Sequence, residues 1–193
     1  MYPKYVEIDG KEYPINTDFR VAIECDRVAR DETIGDYERA LAIIYLLFGD
    51  KGIDDIDNYG KLLELAKKYL SCGVEVDSDN REEPDMDYIQ DMPYIEASFM
   101  SDFGIDLEDK EMHWWKFNRL INGLSNSEMG NCCILNRIRN LRNYDASKIK
   151  DSKERRKVID SQKAVALKKN VNLTDKQKES VRQLMKDLGI KEG

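Results

Sequence analysis

Histidine is nearly absent from this sequence, since His113 is the single one among 193 residues. A zinc site needs several His, Cys or carboxylate ligands, and the cysteines show no CxxC spacing: Cys132 and Cys133 are adjacent, while Cys25 and Cys72 stand apart. Nucleophilic catalysis needs a base beside an activated serine or cysteine, and no GxSxG elbow or glycine-rich phosphate loop occurs. We therefore expect that the protein is not an enzyme and that it binds neither a metal nor a cofactor.

Long apolar runs are missing as well. The longest, from Ala40 to Phe48, is about half of what a membrane-spanning helix needs. The amino terminus lacks the basic patch and apolar stretch of a signal peptide, and four cysteines without a dense disulfide framework suit a reducing compartment. We expect a cytoplasmic protein with no membrane partner.

Proline and glycine are also scarce, while hydrophobic residues make up 41% and charged residues 36% of the chain, which favours a helix-rich protein. The charge is divided unevenly along the sequence. Residues 1–110 carry 28 acidic and 12 basic side chains, whereas residues 111–193 carry 10 and 19. Such a division indicates either that the two halves attract each other or that each meets a different partner.

Local patterns predict the secondary structure. Two short alternating runs flank Asp9-Gly10, which is the strongest short-range signal of a β-hairpin. Helical periodicity follows, with caps and glycine stops, and Pro93 either kinks one helix or places its start at Met92. The predicted helices run over about residues 18–31, 36–48, 56–72, 85–103 and 108–124, from Ser125 or Ser127 to Arg142, over the basic segment 148–169, and from Thr174 to Leu188.

These elements predict a mainly α fold: a multi-helix bundle with a small amino-terminal β-hairpin and a basic helical carboxy-terminal extension. Two domains are expected. Residues 1–144 form the helical core domain with the hairpin, and residues 145–193 form the extension. At this length one main core is the default.

The aromatic stretch MHWWKF contains both tryptophans and the histidine. On a helix of 3.6 residues per turn, Trp114 shares an apolar arc with Phe117 and Ile121, and His113 falls inside that arc as a core histidine. Trp115 points the other way, beside Met112 and Arg119, so a second surface must cover its indole or leave it exposed.

Two readings of Trp115 and of the narrow apolar stripe of the last helix stay open, namely ordinary core contacts or a surface for another chain. The second reading gives seven candidate protein-binding residues: Met112, Trp115, Arg119, Val181, Leu184, Met185 and Leu188. The basic segment 148–169 raises a nucleic-acid alternative, which the acidic net charge and the lack of stacking aromatics in that segment disfavour.

Several motifs together resemble a known family. They are the hairpin with Asp9-Gly10 followed by NTDFR from Asn16, the segment YIxASF from Tyr94 leading to FGIDL from Phe103, and MHWWKF from Met112 with Leu120 and Gly123-Leu124. In these motifs the chain resembles the phage and prophage gp15 family of Gram-positive siphophages. The resemblance covers most of the chain, to about Tyr144.

The resemblance implies a role in tail assembly. In such phages a protein of this kind is encoded beside the tail genes, between the major tail protein and the tape measure protein. This implies a chaperone in the host cytoplasm that shields the apolar helices of the tape measure protein, and it brings no catalytic residues. The tail tube protein and a second copy of the chain are further candidate partners. The rival function is a nucleic-acid-associated phage or prophage protein acting through its basic carboxy-terminal region.

Overall fold

The computed structural model describes residues 2–74, 84–126, 132–168 and 175–187. The chain divides into two compact units. Unit 1 comprises Met1–Asp77, Met112–Phe117 and Asn170–Gly193, and unit 2 comprises Ser78–Glu111 and Asn118–Lys169. The division into a core domain of residues 1–144 and an extension of residues 145–193 stays a prediction.

The described residues are mainly helical, as predicted. They form two strands and nine α-helices: β1 Tyr5–Ile8, β2 Lys11–Pro14, α1 Phe19–Arg30, α2 Asp36–Phe48, α3 Asp50–Ile53, α4 Tyr59–Leu70, α5 Met92–Phe103, α6 Trp114–Asn122, α7 Ile134–Asn143, α8 Ser152–Val165 and α9 Asp175–Asp187. Short 3₁₀ turns lie at Ile56–Asn58 and Ala146–Lys148. Within the described ranges, no helix is both long and apolar enough to cross a bilayer.

The amino-terminal hairpin pairs β1 with β2 in antiparallel register, with Val6 opposite Tyr13. Its two turn residues have positive φ angles, 51° at Asp9 and 81° at Gly10, as a type I′ turn requires. The predicted hairpin is thus confirmed. The carboxylate of Asp55 fastens it to the helical part of unit 1 by accepting from Lys11 Nζ at 2.6 Å and from the hydroxyl of the fully buried Tyr13.

The helices of unit 1 pack around α2, whose residues from Leu41 to Phe48 are apolar on nearly every side and mostly buried. The segment Met112–Phe117 joins this core by backbone pairing, because the amide of Phe19 donates to the carbonyl of Met112 at 2.9 Å and that of Trp114 donates to Thr17 at 2.8 Å. The ring of Phe117 then stacks on Phe19, with centroids 4.4 Å apart.

This pairing explains why the predicted start of α6 near Glu108 is wrong. Met112 and His113 lie beside residues 17–19 in extended form, so the helix begins only at Trp114. The predicted start of α7 at Ser125 is also wrong, since Cys133 caps the helix through Sγ. The other predicted start, Ser127, lies outside the described residues. The start of α5 at Met92, with Pro93 in its first turn, confirms one of the two predicted options.

Unit 2 is organised by a buried ion pair. The guanidinium of Arg142 on α7 donates to both carboxylate oxygens of Asp91 at 2.7 Å, and these side chains are only 10% and 1% exposed. Arg142 also donates to the carbonyls of Asp85 at 2.9 Å and Val165 at 2.7 Å. One side chain therefore ties together the loop before α5, the helix α7 and the end of α8.

Candidate protein-binding site

Both tryptophans close the carboxy-terminal end of α4. The indole N–H of Trp114 donates to the carbonyl of Leu70 at 2.9 Å, and that of Trp115 donates to Tyr69, also at 2.9 Å. The last carbonyls of a helix have no partner within the helix, so side-chain donors stabilise such an end. Trp114 is buried at 5% exposure, whereas Trp115 is half-buried, as expected from their places on opposite sides of α6.

The chain leaves α4 through a left-handed turn that passes beneath Trp115. Cys72 and Gly73 have φ angles of 56° and 78°, the amide of Gly73 donates to Lys68, and that of Cys72 donates to Tyr69. These bonds have the pattern of a Schellman cap. A Cβ on Gly73 would lie 3.3 Å from Cη2 of Trp115, so the absence of a side chain there lets the backbone run close to the indole.

An apolar groove of about 180 Å³ opens beside this indole. Residues from the hairpin and the chain on either side of it form one wall, and α4 with the turn after it forms another. The groove is lined by Pro3, Val6, Ile15, Leu65, Lys68, Tyr69, Gly73 and Trp115. Lys68 is the one charged residue among these eight, and its side chain is exposed.

Tyr69 lines the groove and packs against two aromatic residues of the MHWWKF stretch. Its ring stacks on that of Trp115, with centroids 6.1 Å apart, and meets the ring of His113 edge-on at 6.0 Å. The Tyr69 hydroxyl is buried, and the described residues offer it no hydrogen-bond partner. Burial is the main cause that raises the pKa of this phenol, so the side chain stays neutral.

His113 serves as a structural link. Its Nδ1 accepts from the amide of Trp115 at 3.0 Å, which places the ring proton on Nε2 and directs it to the carbonyl of Pro3 at 2.8 Å. The sequence predicts a core histidine with one satisfied nitrogen; the ring is instead half-buried and uses both. Together these bonds link Pro3 to Trp115, and both of these residues line the groove.

The structure treats the seven predicted binding residues differently. Trp115 lines the groove. Met112 is only 6% exposed, because its carbonyl accepts from the amide of Phe19 and the residue packs against the start of α1. Its predicted outward position is therefore wrong. Arg119 is exposed and belongs to unit 2. Val181, Leu184 and Met185 lie on α9, but their side chains are outside the described residues, as is all of Leu188. Protein binding by these residues stays a prediction.

The other groove residues were not predicted from the sequence. Leu65 offered a signal, because it is apolar and sits between the stripe of α4 and its lysine-rich side, next to Tyr69. Pro3, Val6 and Ile15 gave no such signal. They lie in or next to a hairpin, and an isolated hairpin must pack on another element to be stable.

The chain matches a known protein family. The family model described as Bacteriophage Gp15 protein matches residues 2–167 of the chain. No curated protein and no solved structure matches it. The matched range covers most of both units and includes every residue that lines the groove.

Proposed function

The chain belongs to the Bacteriophage Gp15 protein family, and on this basis we propose that it acts as a tail assembly chaperone-like protein. In this proposal it binds and shields the tape measure protein during tail morphogenesis in the host cytoplasm. The task is protein binding and involves no catalysis. The tail tube protein is a further candidate partner.

The observation that carries the proposal is the apolar groove beside Trp115. A chaperone that keeps an apolar helix soluble needs a surface that accepts apolar side chains while the rest of the protein stays charged. The groove offers Leu65, Val6 and the indole of Trp115 for such contacts, within a chain that is 36% charged. Its size suits one large apolar side chain of a partner, such as leucine or phenylalanine, rather than a whole helix.

The geometry also favours a preformed site. The indole of Trp115 is held by its bond to Tyr69, and the amide of Trp115 by its bond to His113. Since these side chains are already ordered, a partner would lose little binding free energy to ordering them. Burying one leucine-sized side chain contributes about 1.5–3 kcal/mol, so tight binding would require several such contacts along the partner.

The test compares two leucines on one helix. Leu65 lines the groove and Leu63 does not, yet both lie on α4 and both are half-buried. We expect Leu65→Ala to raise the dissociation constant for fragments of the tape measure protein by about tenfold, which corresponds to about 1.4 kcal/mol of lost contact. Isothermal titration calorimetry with purified fragments measures this.

Leu63→Ala is the matched control and should bind as the wild type does. Circular dichroism of both variants checks that the helix content is unchanged. If the full chain captures no tape measure fragment, the partner is wrong. If both leucine variants bind equally well, the partner stands but the groove is not its site.

A second candidate function follows from α8, on which Lys153, Arg155, Arg156 and Lys157 are all exposed. Clustered exposed cations attract the phosphates of nucleic acids, with an affinity that falls steeply as salt rises. Fluorescence anisotropy with duplex DNA at several salt concentrations tests this alternative. Binding that is salt-dependent and lost in a variant with these four residues changed to glutamine would favour it over the chaperone role.

A further inference from the structure

The main-chain groups of the amino-terminal hairpin point in two directions. The amide of Ile15 donates to the carbonyl of Lys4 at 2.8 Å, which makes these two residues a hydrogen-bonded pair. Bonded and non-bonded pairs alternate along an antiparallel ladder. The non-bonded pairs are therefore Tyr5 with Pro14 and Glu7 with Glu12. The N–H and C=O groups of a non-bonded pair point away from the other strand, toward the outer edges of the hairpin.

The outer edge of β2 is partly closed, whereas that of β1 is open. On β2, Pro14 has no N–H to offer, and just beyond it the amide of Asn16 donates to the carbonyl of Leu47 on α2 at 2.8 Å. On β1, Tyr5 and Glu7 are exposed, and within the described residues none of their four outward main-chain groups has a hydrogen-bond partner. An exposed strand edge with such donors and acceptors is a template for another strand.

The apolar groove adjoins this open edge. Val6 lies between Tyr5 and Glu7 on β1, and its side chain lines the groove. Side chains alternate between the two faces of a sheet, so a residue placed opposite Val6 on an added strand would point to the side of the groove. The exposed ammonium group of Lys68, also in the lining, favours a carboxylate on that strand. The edge and the groove can therefore hold the backbone and the side chains of the same segment.

These features describe the form of the partner. A helix uses its main-chain groups within itself and leaves none for a strand edge. An extended segment offers unpaired N–H and C=O groups and presents alternate side chains to one face. We propose that β1 binds an extended segment of the tape measure protein by strand addition, with an apolar side chain of that segment in the groove. This inference rests on the proposed function and specifies that the segment bound here lies outside the partner's helices.

Short synthetic peptides that tile the tape measure protein test the proposal, with fluorescence anisotropy as the readout. The expected result is binding of peptides that combine a large apolar residue with an acidic one. Each main-chain amide of a bound peptide is then N-methylated in turn. Because only alternate amides of an added strand face β1, methylation should weaken binding at every second residue across the contact. A helical ligand would not show this alternation.

Glu7 and Glu12 provide matched variants of the protein. They lie opposite each other in the hairpin and both are exposed, so Glu7→Pro and Glu12→Pro each remove one charge and one outward N–H. Glu7→Pro should raise the dissociation constant of the bound peptide by about tenfold, because it removes a donor that the added strand uses. Glu12→Pro should bind as the wild type does. Circular dichroism and thermal unfolding of each variant check its fold.

Three outcomes would contradict strand addition. Equal binding by the two variants is one, and methylation losses without alternation are another. In the third, the full chain captures a tape measure fragment in calorimetry but binds none of the peptides, so the chaperone role stands and strand addition is wrong. A chain that captures neither the fragment nor the peptides contradicts the proposed function as well.

Discussion

Each unit of the chain contains a joint between segments that lie far apart in sequence, and the two joints use different chemistry. In unit 1, the indole N–H groups of Trp114 and Trp115 donate to backbone carbonyls at the end of α4, so the groups at this joint are neutral. In unit 2, the guanidinium of Arg142 meets the carboxylate of Asp91 and two carbonyls, so the joint is ionic and buried. The neutral joint leaves an apolar groove beside it, whereas the ionic joint costs much more to break than a neutral bond does.

The largest effect is expected at the ionic joint. Arg142→Met would leave the carboxylate of Asp91, 1% exposed, without its cation, and removing one partner of a buried pair costs about 3–5 kcal/mol. Urea denaturation followed by circular dichroism measures the loss in the free energy of unfolding. Arg137→Met is the control, because Arg137 is exposed on the same helix and should lose less than about 0.5 kcal/mol. Equal losses in both variants would contradict the ionic joint.

A smaller effect is expected where the chain passes under Trp115. Gly73→Ala adds a Cβ at a φ of 78° and 3.3 Å from the indole, and left-handed backbone alone costs about 1–2 kcal/mol for a residue with a Cβ. Thermal unfolding should therefore show a destabilised variant. Gly60→Ala lies in α4 with open space around it, and it should stabilise the protein by up to about 1 kcal/mol. The same sign in both variants would argue against the close approach.

The smallest effect is expected at the exposed ion pair of the hairpin. The pKa of Asp55 is held well below its usual range, first by the hydrogen bond from Lys11 and second by that from Tyr13. The side chain of Lys11 is 50% exposed. A carboxylate with a lowered pKa adds stability above its unfolded value of about 3.9 and loses it as the pH falls further. As the pH falls below about 4, the melting temperature of the wild type should decrease, and that of Asp55→Asn should decrease less steeply. Asp57→Asn, at an exposed neighbouring position, should follow the wild type.

Elements set by neighbouring residues could be predicted from the sequence. The hairpin followed from Asp9-Gly10, and the start of α5 was one of two options left by Pro93, because a proline is tolerated in the first turn of a helix. The start of α6 could not be found this way. Acids at 108 and 109 resemble a first turn, but pairing with residues 17–19 keeps the chain extended as far as His113.

The sites themselves depend on contacts between residues far apart in sequence. Periodicity separated Trp115 from Trp114, yet nothing in the pattern indicates that Tyr69 supplies the carbonyl that holds the indole. Arg142 and Asp91 are 51 residues apart, and each looks like a surface charge when considered alone. Sequence patterns thus located one residue of the groove, Trp115, and only the fold revealed the others.

The most direct test of the proposed function uses Trp115 as its own reporter. With Trp114 replaced by phenylalanine, Trp115 is the one tryptophan left, and its indole lines the groove. Titration with a tryptophan-free fragment of the tape measure protein should shift the emission of Trp115 to shorter wavelength, because apolar contacts replace water around the indole. Leu65→Ala in the same background should require about tenfold more fragment for the same shift. Binding seen by calorimetry without any change in this emission would contradict the groove as the binding site.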